Sequence, residues 1–404
     1  MKKVAIFHPT DLLGHVPGGI DSFIKGILHH APSDLHYVVY GATSQPGERP
    51  VGESYSLYSK AGHPSTFIPI VETQASSVRT RIPLVLRYMN ALRRHVKHET
   101  LNDVDVLDFH RIEPVFLFRR YDKPKNVTLH ADYSILRDKN SDIMWRYWPG
   151  AYEYLEKLAF RSINCVFVVR RSAVERYQES IPSMREKFRF IPTWMDSTLF
   201  TPCRSEEERL RLRDSLREDL GCAPNDTILV FVGRLDHQKD PVMLIRALDL
   251  VMKEHGNLHL VIVGDGRLRG RVEQMLSAKQ LAKHVTLVGV KRGPEIADIL
   301  RGSDLFVLSS AYEGMCIAVL EALATGLPVV STQVGEIDLV VKSGINGQVS
   351  SSRSPEAFAN AIRDSLLNLE LMRGEPCIQA VSPFKPAEVL RTIFDNHRAQ
   401  ASMQ

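Results

Sequence analysis

Hydrophobic residues run through the chain in short blocks that switch between strand and helix periods. Val4 to His8 reads as a buried strand, followed by the turn-rich Leu13-Gly14-His15-Val16-Pro17-Gly18-Gly19. Ile20, Phe23, Ile24, Ile27 and Leu28 then recur at helical spacing, so the chain opens as strand, glycine loop and helix. Further apolar runs at Tyr37 to Tyr40, Val104 to Leu107, Val127 to Leu129 and Cys165 to Val169 alternate with helical stretches. Such alternation implies crossover connections and a parallel sheet.

The pattern stops around Ile191-Pro192-Thr193-Trp194-Met195, and a charged segment, Arg204 to Asp219, precedes a second series. Thr227 to Val232 reads as a strand, Pro241 opens a helix bearing Leu244, Ile245, Leu248 and Met252, and His259 to Val263 is the next strand. Val285 to Val288, Asp304 to Leu308 and Leu327 to Val330 continue it. The expected architecture is α/β, with two Rossmann-like, doubly wound parallel-sheet domains facing across a cleft. Residues 1–195 form the first and 196–375 the second, with the segment from about 376 to 404 packing back on the first. Ligands of open parallel sheets bind at the carboxyl ends of the strands, so the loops there are where chemistry is sought.

Composition narrows the class. The 404 residues are 44% hydrophobic, as in an ordinary globular protein. No apolar run approaches the roughly 20 residues of a spanning helix. The start, Met1-Lys2-Lys3 running straight into Val4, does not read as a signal peptide, and a cytoplasmic location is expected. Cys165, Cys203, Cys222, Cys316 and Cys377 are scattered and odd in number, which points to reduced thiols rather than disulfides or structural zinc. Residues 1–200 hold 27 Lys and Arg against 21 Asp and Glu. That mildly basic half suits a membrane surface or an anionic acceptor and gives no sign of nucleic acid.

The densest chemistry lies between Ala311 and Val330. From Cys316 to Ala324 the helix is apolar all round except for Glu321, and a buried lone carboxylate needs a partner. Glu313 sits in the loop before that helix, at the carboxyl end of a strand. The helix opening at Cys316 and Ile317 offers free N–H groups and positive dipole to a phosphate. A cationic pair, Arg234 and Lys239, stands in the loop leaving the first strand of the second series. Arg supplies a planar fork and Lys a point charge, a combination suited to a diphosphate.

These residues resemble the family-4 retaining glycosyltransferases of GT-B fold. Glu313, seven residues, Glu321 and Ala322-Leu323-Ala324-Thr325-Gly326-Leu327-Pro328-Val329 match the family hallmark. Gly233, Arg234, Leu235 and Lys239 match its basic loop, Val16-Pro17-Gly18-Gly19 its N-terminal glycine loop, and His130 a histidine after an N-domain strand. The resemblance implies that Arg234 and Lys239 bind the donor diphosphate, Glu321 the ribose and Glu313 the transferred sugar. By the same token Gly18 and Gly19 admit the donor to the backbone, and His130 contacts the sugar. It also implies a hexosyltransferase without metal or cofactor, using a GDP- or UDP-linked donor and a glycan acceptor, while the basic helices of the first half suit a lipid-linked acceptor and so envelope or exopolysaccharide assembly. A nucleotide-sugar-binding partner subunit and a GT-B epimerase or phosphorylase are the alternatives. The chain departs from the family at Cys316, where glycine is usual, and at Thr193-Trp194-Met195-Asp196, where Asn-Gly-Val-Asp is usual. A thiol at a helix N-terminus is expected to be acidified.

Weaker signals have plain alternatives. Val263-Gly264-Asp265-Gly266 lacks the third glycine of a dinucleotide fingerprint and reads as a tight turn. His130 with Asp132, and His110 with Arg111, stand at strand ends where a structural histidine is the ordinary finding. Residues 79–98 carry six Lys or Arg, no acid, and Ile82, Val85, Leu86, Met89, Leu92 and Val96 at helical spacing. That pattern fits either a helix lying on the inner face of a membrane or a domain helix with a solvated basic face.

Overall fold

The computed structural model describes residues 1–14, 19–73, 82–130 and 149–402. The chain divides into two compact units, Met1–Thr193 with Pro386–Gln404, and Trp194–Lys385.

The first unit is built on an eight-stranded sheet in the order β3-β4-β2-β1-β5-β6-β7-β8. Its strands are β1 (Lys2–Phe7), β2 (Leu35–Thr43), β3 (Tyr55–Tyr58), β4 (Pro64–Glu72), β5 (Val106–Phe109), β6 (Lys125–Leu129), β7 (Cys165–Val168) and β8 (Phe188–Phe190). Neighbours are parallel except β3 with β4. Val4, Ala5, Ile6 and Phe7 are all inaccessible to solvent, because a central parallel strand is covered on both faces and has no need of polar alternation. Side chains of successive residues point to opposite faces. On one face Phe7 stacks on Tyr40 and Phe109 at 5.3 and 5.0 Å. On the other, Tyr37, Asp108 and Asn126 meet His397, Asn396 and Gln400 of the helix Pro386–Ala401. The chain therefore returns to its first unit through this polar cluster together with the buried Val389, Leu390, Ile393 and Phe394 of the same helix.

The second unit carries a six-stranded parallel sheet in the order β11-β10-β9-β12-β13-β14. Its strands are β9 (Thr227–Val232), β10 (Leu258–Val263), β11 (Val285–Gly289), β12 (Leu305–Leu308), β13 (Val329–Ser331) and β14 (Gly347–Val349). Two cores separate cleanly by strand parity: Ile228 and Val230 join Val319, Leu320 and Leu323 on one side, while Leu229 and Phe231 join Leu244, Ile245 and Leu248 on the other. Each large side chain so buried contributes roughly 1.5–3 kcal/mol. The charged segment after residue 204 is the helix Glu206–Leu220, capped by Ser205, whose side chain accepts from Glu208 N, and ended by Gly221 at φ 66°. Its Arg217 is buried and hydrogen-bonds Asp304 and the Asp226 carbonyl.

Residues 376–385 stay with the second unit, because Cys377, Val381 and Phe384 are buried in the core that holds Leu320 and Leu323. Only the stretch from Pro386 returns. The four strands absent from the sequence reading are β3, β4, β8 and β14. In β4, Pro64 and Pro69 interrupt the apolar pattern, and Pro69 is tolerated because it pairs with Gly41 beside a register irregularity. Among the described residues no helix is long and apolar enough to cross a membrane.

Candidate active site

Two loops of the second unit, at the carboxyl ends of the neighbouring strands β9 and β12, assemble the densest group of functional side chains. The first runs from Gly233 to Asp240. Asp236 folds it back, its carboxylate accepting from Lys239 N at 3.0 Å and its carbonyl from Asp240 N at 3.0 Å. Asp240 takes φ 44° and caps the helix Pro241–Met252 by accepting from Met243 N. Aspartate is among the few side chains that tolerate this backbone, and the cap helps offset its cost. The turn after β10 comes so close that a Cβ on Gly264, at φ 134°, would lie 2.0 Å from the Gly233 carbonyl oxygen. The glycines of Val263-Gly264-Asp265-Gly266 thus serve close packing beneath the basic loop.

The second loop, Ser309 to Cys316, is stitched to the first. Ser309 Oγ donates to the Lys239 carbonyl at 2.9 Å, and Ala311 N to the Gln238 carbonyl at 2.7 Å. Across this seam Lys239 Nζ donates to Glu313 Oε1 at 2.7 Å and lies 3.4 Å from Cys316 Sγ. Ser310 Oγ donates to the same Glu313 oxygen at 2.7 Å, and Gln238 Nε2 to the other at 3.4 Å. Arg234 is the outermost member, 73% exposed, tethered to Gln238 Oε1 at 3.2 Å and Asp236 at 3.3 Å. The helix Ile317–Ala324 begins beside Lys239 with no side chain capping it, so its first N–H groups and dipole are open to an anion. Gly335, at φ 54°, presses on this loop from the turn after β13, and Glu336 N donates to the Gly314 carbonyl.

Burial alone would make Lys239 less basic, but the contacts with Cys316 and Glu313, of which the Glu313 carboxylate carries the charge near neutral pH, outweigh it and keep the ammonium protonated. The Cys316 thiol corrects an expectation. Burial pushes it up rather than down, with Glu313 adding to the rise and Lys239 opposing it, so the helix end meets a neutral thiol. Glu321 is pushed up to about 7, first by burial and then by the charge of Asp196, against the pull of Lys239.

The first unit holds a different group. His8, His110 and His130 follow directly on β1, β5 and β6, three neighbouring strands. His110 Nδ1 lies 2.8 Å from His130 Nε2, with the rings inclined by only 15°. Phe23, from the helix Gly19–His29, sets its ring at right angles to His130 at 4.8 Å. Burial lowers all three histidines below their ordinary range, and their mutual repulsion adds to this for His8 and His130.

The residues singled out by sequence therefore fall in two groups. Arg234, Lys239, Glu313, Cys316 and the Ile317 helix end come together, with Glu321 one turn further along that helix. His130 lies in the other unit with His110. Gly19 is the first residue of its helix, whereas Gly18 and Asp132 lie outside the described residues. Of residues 79–98, Leu84–His95 is helical and buries Tyr88, Ala91 and Leu92. Sequence reasoning missed Gln238, Ser310, Gly335, His8 and Asp108. For His8, the signal available was its place directly after the first strand. Asp103 and Asp105 hold Asp-x-Asp spacing, but both engage Lys3 at the opposite, amino end of β5.

Two parallel-sheet α/β units of this kind, with a basic loop and an acidic loop-helix at the strand ends of the second, define the GT-B glycosyltransferase fold. Residues 213–374 match the family of glycosyl transferases group 1. An uncharacterized glycosyltransferase of Methanocaldococcus jannaschii is 30% identical over 209 residues, 52% of each chain. The UDP-Gal:alpha-D-GlcNAc-diphosphoundecaprenol alpha-1,3-galactosyltransferase of Escherichia coli is 30% identical over 225 residues, 54% of this chain and 56% of that one. The chain thus spans about half the length of the curated relatives it matches. Among solved structures, sucrose-phosphate synthase from Thermosynechococcus elongatus is similar over 100% of both chains, with a TM-score of 0.78 at 19% identity. Anabaena HepE in complex with UDP and glucose gives a TM-score of 0.70 at 16% identity over 98% of this chain and 99% of that one. At such identities the likeness concerns the fold.

Proposed function

We propose that the protein is a retaining glycosyltransferase that moves a hexose from a nucleotide diphosphate sugar to a lipid-linked glycan acceptor. The observation that carries this reading is the Lys239–Glu313 contact beside an uncapped helix N-terminus. Lys239, Arg234 and the N–H groups at Ile317 would neutralise the diphosphate as the bond to the anomeric carbon breaks. The acceptor hydroxyl would form the new bond on the same face, passing its proton to the departing phosphate oxygen. Glu313 would orient the sugar and Glu321 the ribose, and none of these roles calls for a metal ion. UDP is the favoured donor base over GDP, since the galactosyltransferase relative is named for UDP-Gal and HepE was solved with UDP.

A lipid-linked acceptor is supported by the diphosphoundecaprenol in that relative's name and by basic surface in the first unit. The helix Leu84–His95 ends in Arg93 and Arg94 and leaves Leu86 exposed, with Ile82 exposed just before it. Arg119, Arg120 and Arg161 line a cavity of about 370 Å³ over Phe116 and Leu158. Such surfaces attract anionic lipid, consistent with work at the inner membrane face in envelope or exopolysaccharide assembly. The deciding assay incubates purified protein with UDP- and GDP-hexoses and polyprenyl-diphosphate-linked sugars. A new glycosidic bond of retained configuration is expected; free sugar phosphate, an epimer, or no turnover with any donor contradicts the proposal.

A further inference from the structure

His130 is connected to a buried carboxylate and, beyond it, to the C-terminal helix. His110 Nδ1 lies 2.8 Å from His130 Nε2 in nearly the same plane. His110 Nε2 lies 3.9 Å from Oδ2 of Asp108, two residues back in β5. His397 Nε2 approaches that same Asp108 oxygen at 3.3 Å, and its Nδ1 lies 3.1 Å from the Tyr37 hydroxyl. Asp108, His110, His397 and Tyr37 are all at least 98% buried. Asp108 Oδ1, His110 Nε2 and His397 Nε2 lack hydrogen-bond partners among the described residues. Core packing does not require a carboxylate between two imidazoles, and burying one there is costly unless it acts on its neighbours.

Proton positions follow from the charges. A carboxylate facing the Nε2 atoms of His110 and His397 favours N–H at both, because each N–H dipole then points at negative charge in a poorly screened interior. Protonated at Nε2, a neutral His110 presents a bare Nδ1, which accepts from His130 Nε2–H. His130 is in turn left with a bare Nδ1, the ring nitrogen for which no hydrogen bond is seen among the described residues. The Tyr37 hydroxyl closes the far end by donating to His397 Nδ1.

We infer that Asp108 and His110 are positioning residues that hold His130 as a neutral hydrogen-bond acceptor for a hydroxyl of a sugar bound at the strand ends of the first unit, with His397 anchoring the C-terminal helix to the same carboxylate. The inference deepens the glycosyltransferase reading and rests on it only for the identity of the hydroxyl. Phe23 and His110 fix the His130 ring, so the acceptor nitrogen is set in direction as well as in protonation. His8 is the further imidazole of the cluster, with its ring 6.2 Å from His110, and Arg111 is the cation near it. A second positive charge on His130 would meet both, so the neutral ring is the form that fits.

The test is nitrogen-detected NMR of the imidazoles in the full chain, with His130 assigned by loss of its signals in His130→Gln. The wild type is expected to show His130 protonated at Nε2 and bare at Nδ1 near neutral pH. Asp108→Asn is expected to mix or reverse the His110 and His130 tautomers and to lower kcat at least ten-fold, with donor KM within about two-fold. His397→Gln should have a smaller effect of the same kind. A wild-type His130 protonated at Nδ1 overturns the inference even if Asp108→Asn does not fold. An Asp108→Asn variant with unchanged tautomers and kcat also overturns it. Absence of sugar transfer by the wild type would instead remove the function while leaving the tautomer result to be read independently.

Discussion

Lys239 reaches Glu313 from the end of one strand to the end of its neighbour, Nζ to Oε1 at 2.7 Å, with both side chains largely withdrawn from solvent. The pair joins two loops that the sequence separates by 74 positions. Removing one partner strands a desolvated charge, which costs on the order of 3–5 kcal/mol in buried pairs, while removing both costs much less.

A double-mutant cycle separates that structural role from catalysis. Lys239→Ala should lose about 10²- to 10³-fold in donor turnover and melt at lower temperature. Adding Glu313→Gln should restore much of the melting temperature and none of the turnover. Recovery of turnover in the double variant would show that Lys239 acts only on Glu313 and touches no phosphate.

Glu321 makes pH informative. Its carboxyl titrates near 7 in the folded chain against an ordinary 4.5, so between those values the native state holds a proton that the unfolded chain releases. This contribution to stability therefore falls as pH rises from about 4.5 to 7 and is level above, by at most about 3 kcal/mol in all. If ribose hydroxyls donate to the ionised carboxylate, nucleotide affinity should rise from pH 6 to pH 8. Glu321→Gln should bind equally at both and be more stable than wild type at pH 8. Calorimetric titration at the two pH values checks this, and a flat wild-type profile removes Glu321 from the ribose contact.

Gly335 offers a test of the loop rather than of its charges. A Cβ there would lie 2.0 Å from the Gly314 carbonyl oxygen and 2.8 Å from that of Glu313, so the acidic loop must shift. Gly335→Ala is expected to lower donor turnover by at least ten-fold, and the positive φ alone costs about 1–3 kcal/mol in stability, to which the backbone clash adds. Wild-type turnover in this variant would mean that the position of the Glu313 loop is unimportant.

Arg119, Arg120 and Arg161 should matter at a lipid surface and not in the donor site. Co-sedimentation with vesicles containing anionic lipid should fall several-fold in the triple alanine variant and at raised salt. Turnover on a soluble acceptor should be unchanged. Binding that is equal on neutral vesicles, or indifferent to the substitutions, would place the membrane contact elsewhere or remove it.

Much of the second unit was legible because its physics is local. Buried parallel strands such as Thr227 to Val232 are continuous apolar runs, and the loops that leave them carry Arg234, Lys239 and Glu313 at spacings that one sequence can show. What escaped was set by distant pairing. Ser310 and Gln238 are ordinary polar residues until the loops meet. The acidity expected of Cys316 failed because its burial outweighs the helix end. Asp108 reads as a break in a strand's apolar pattern until His397 arrives from nearly 300 positions away. The strand Pro64–Glu72 was hidden by prolines whose tolerance depends on a neighbour's irregular register.

The most direct measurement is calorimetric titration of UDP and GDP into the wild-type chain and into Lys239→Ala. The expected result is saturable one-to-one binding of UDP by the wild type, weakened at least ten-fold in the variant. Failure of both nucleotides to bind the wild type, or equal binding by the two proteins, would contradict a diphosphate site formed by Lys239, Arg234 and the Ile317 helix end.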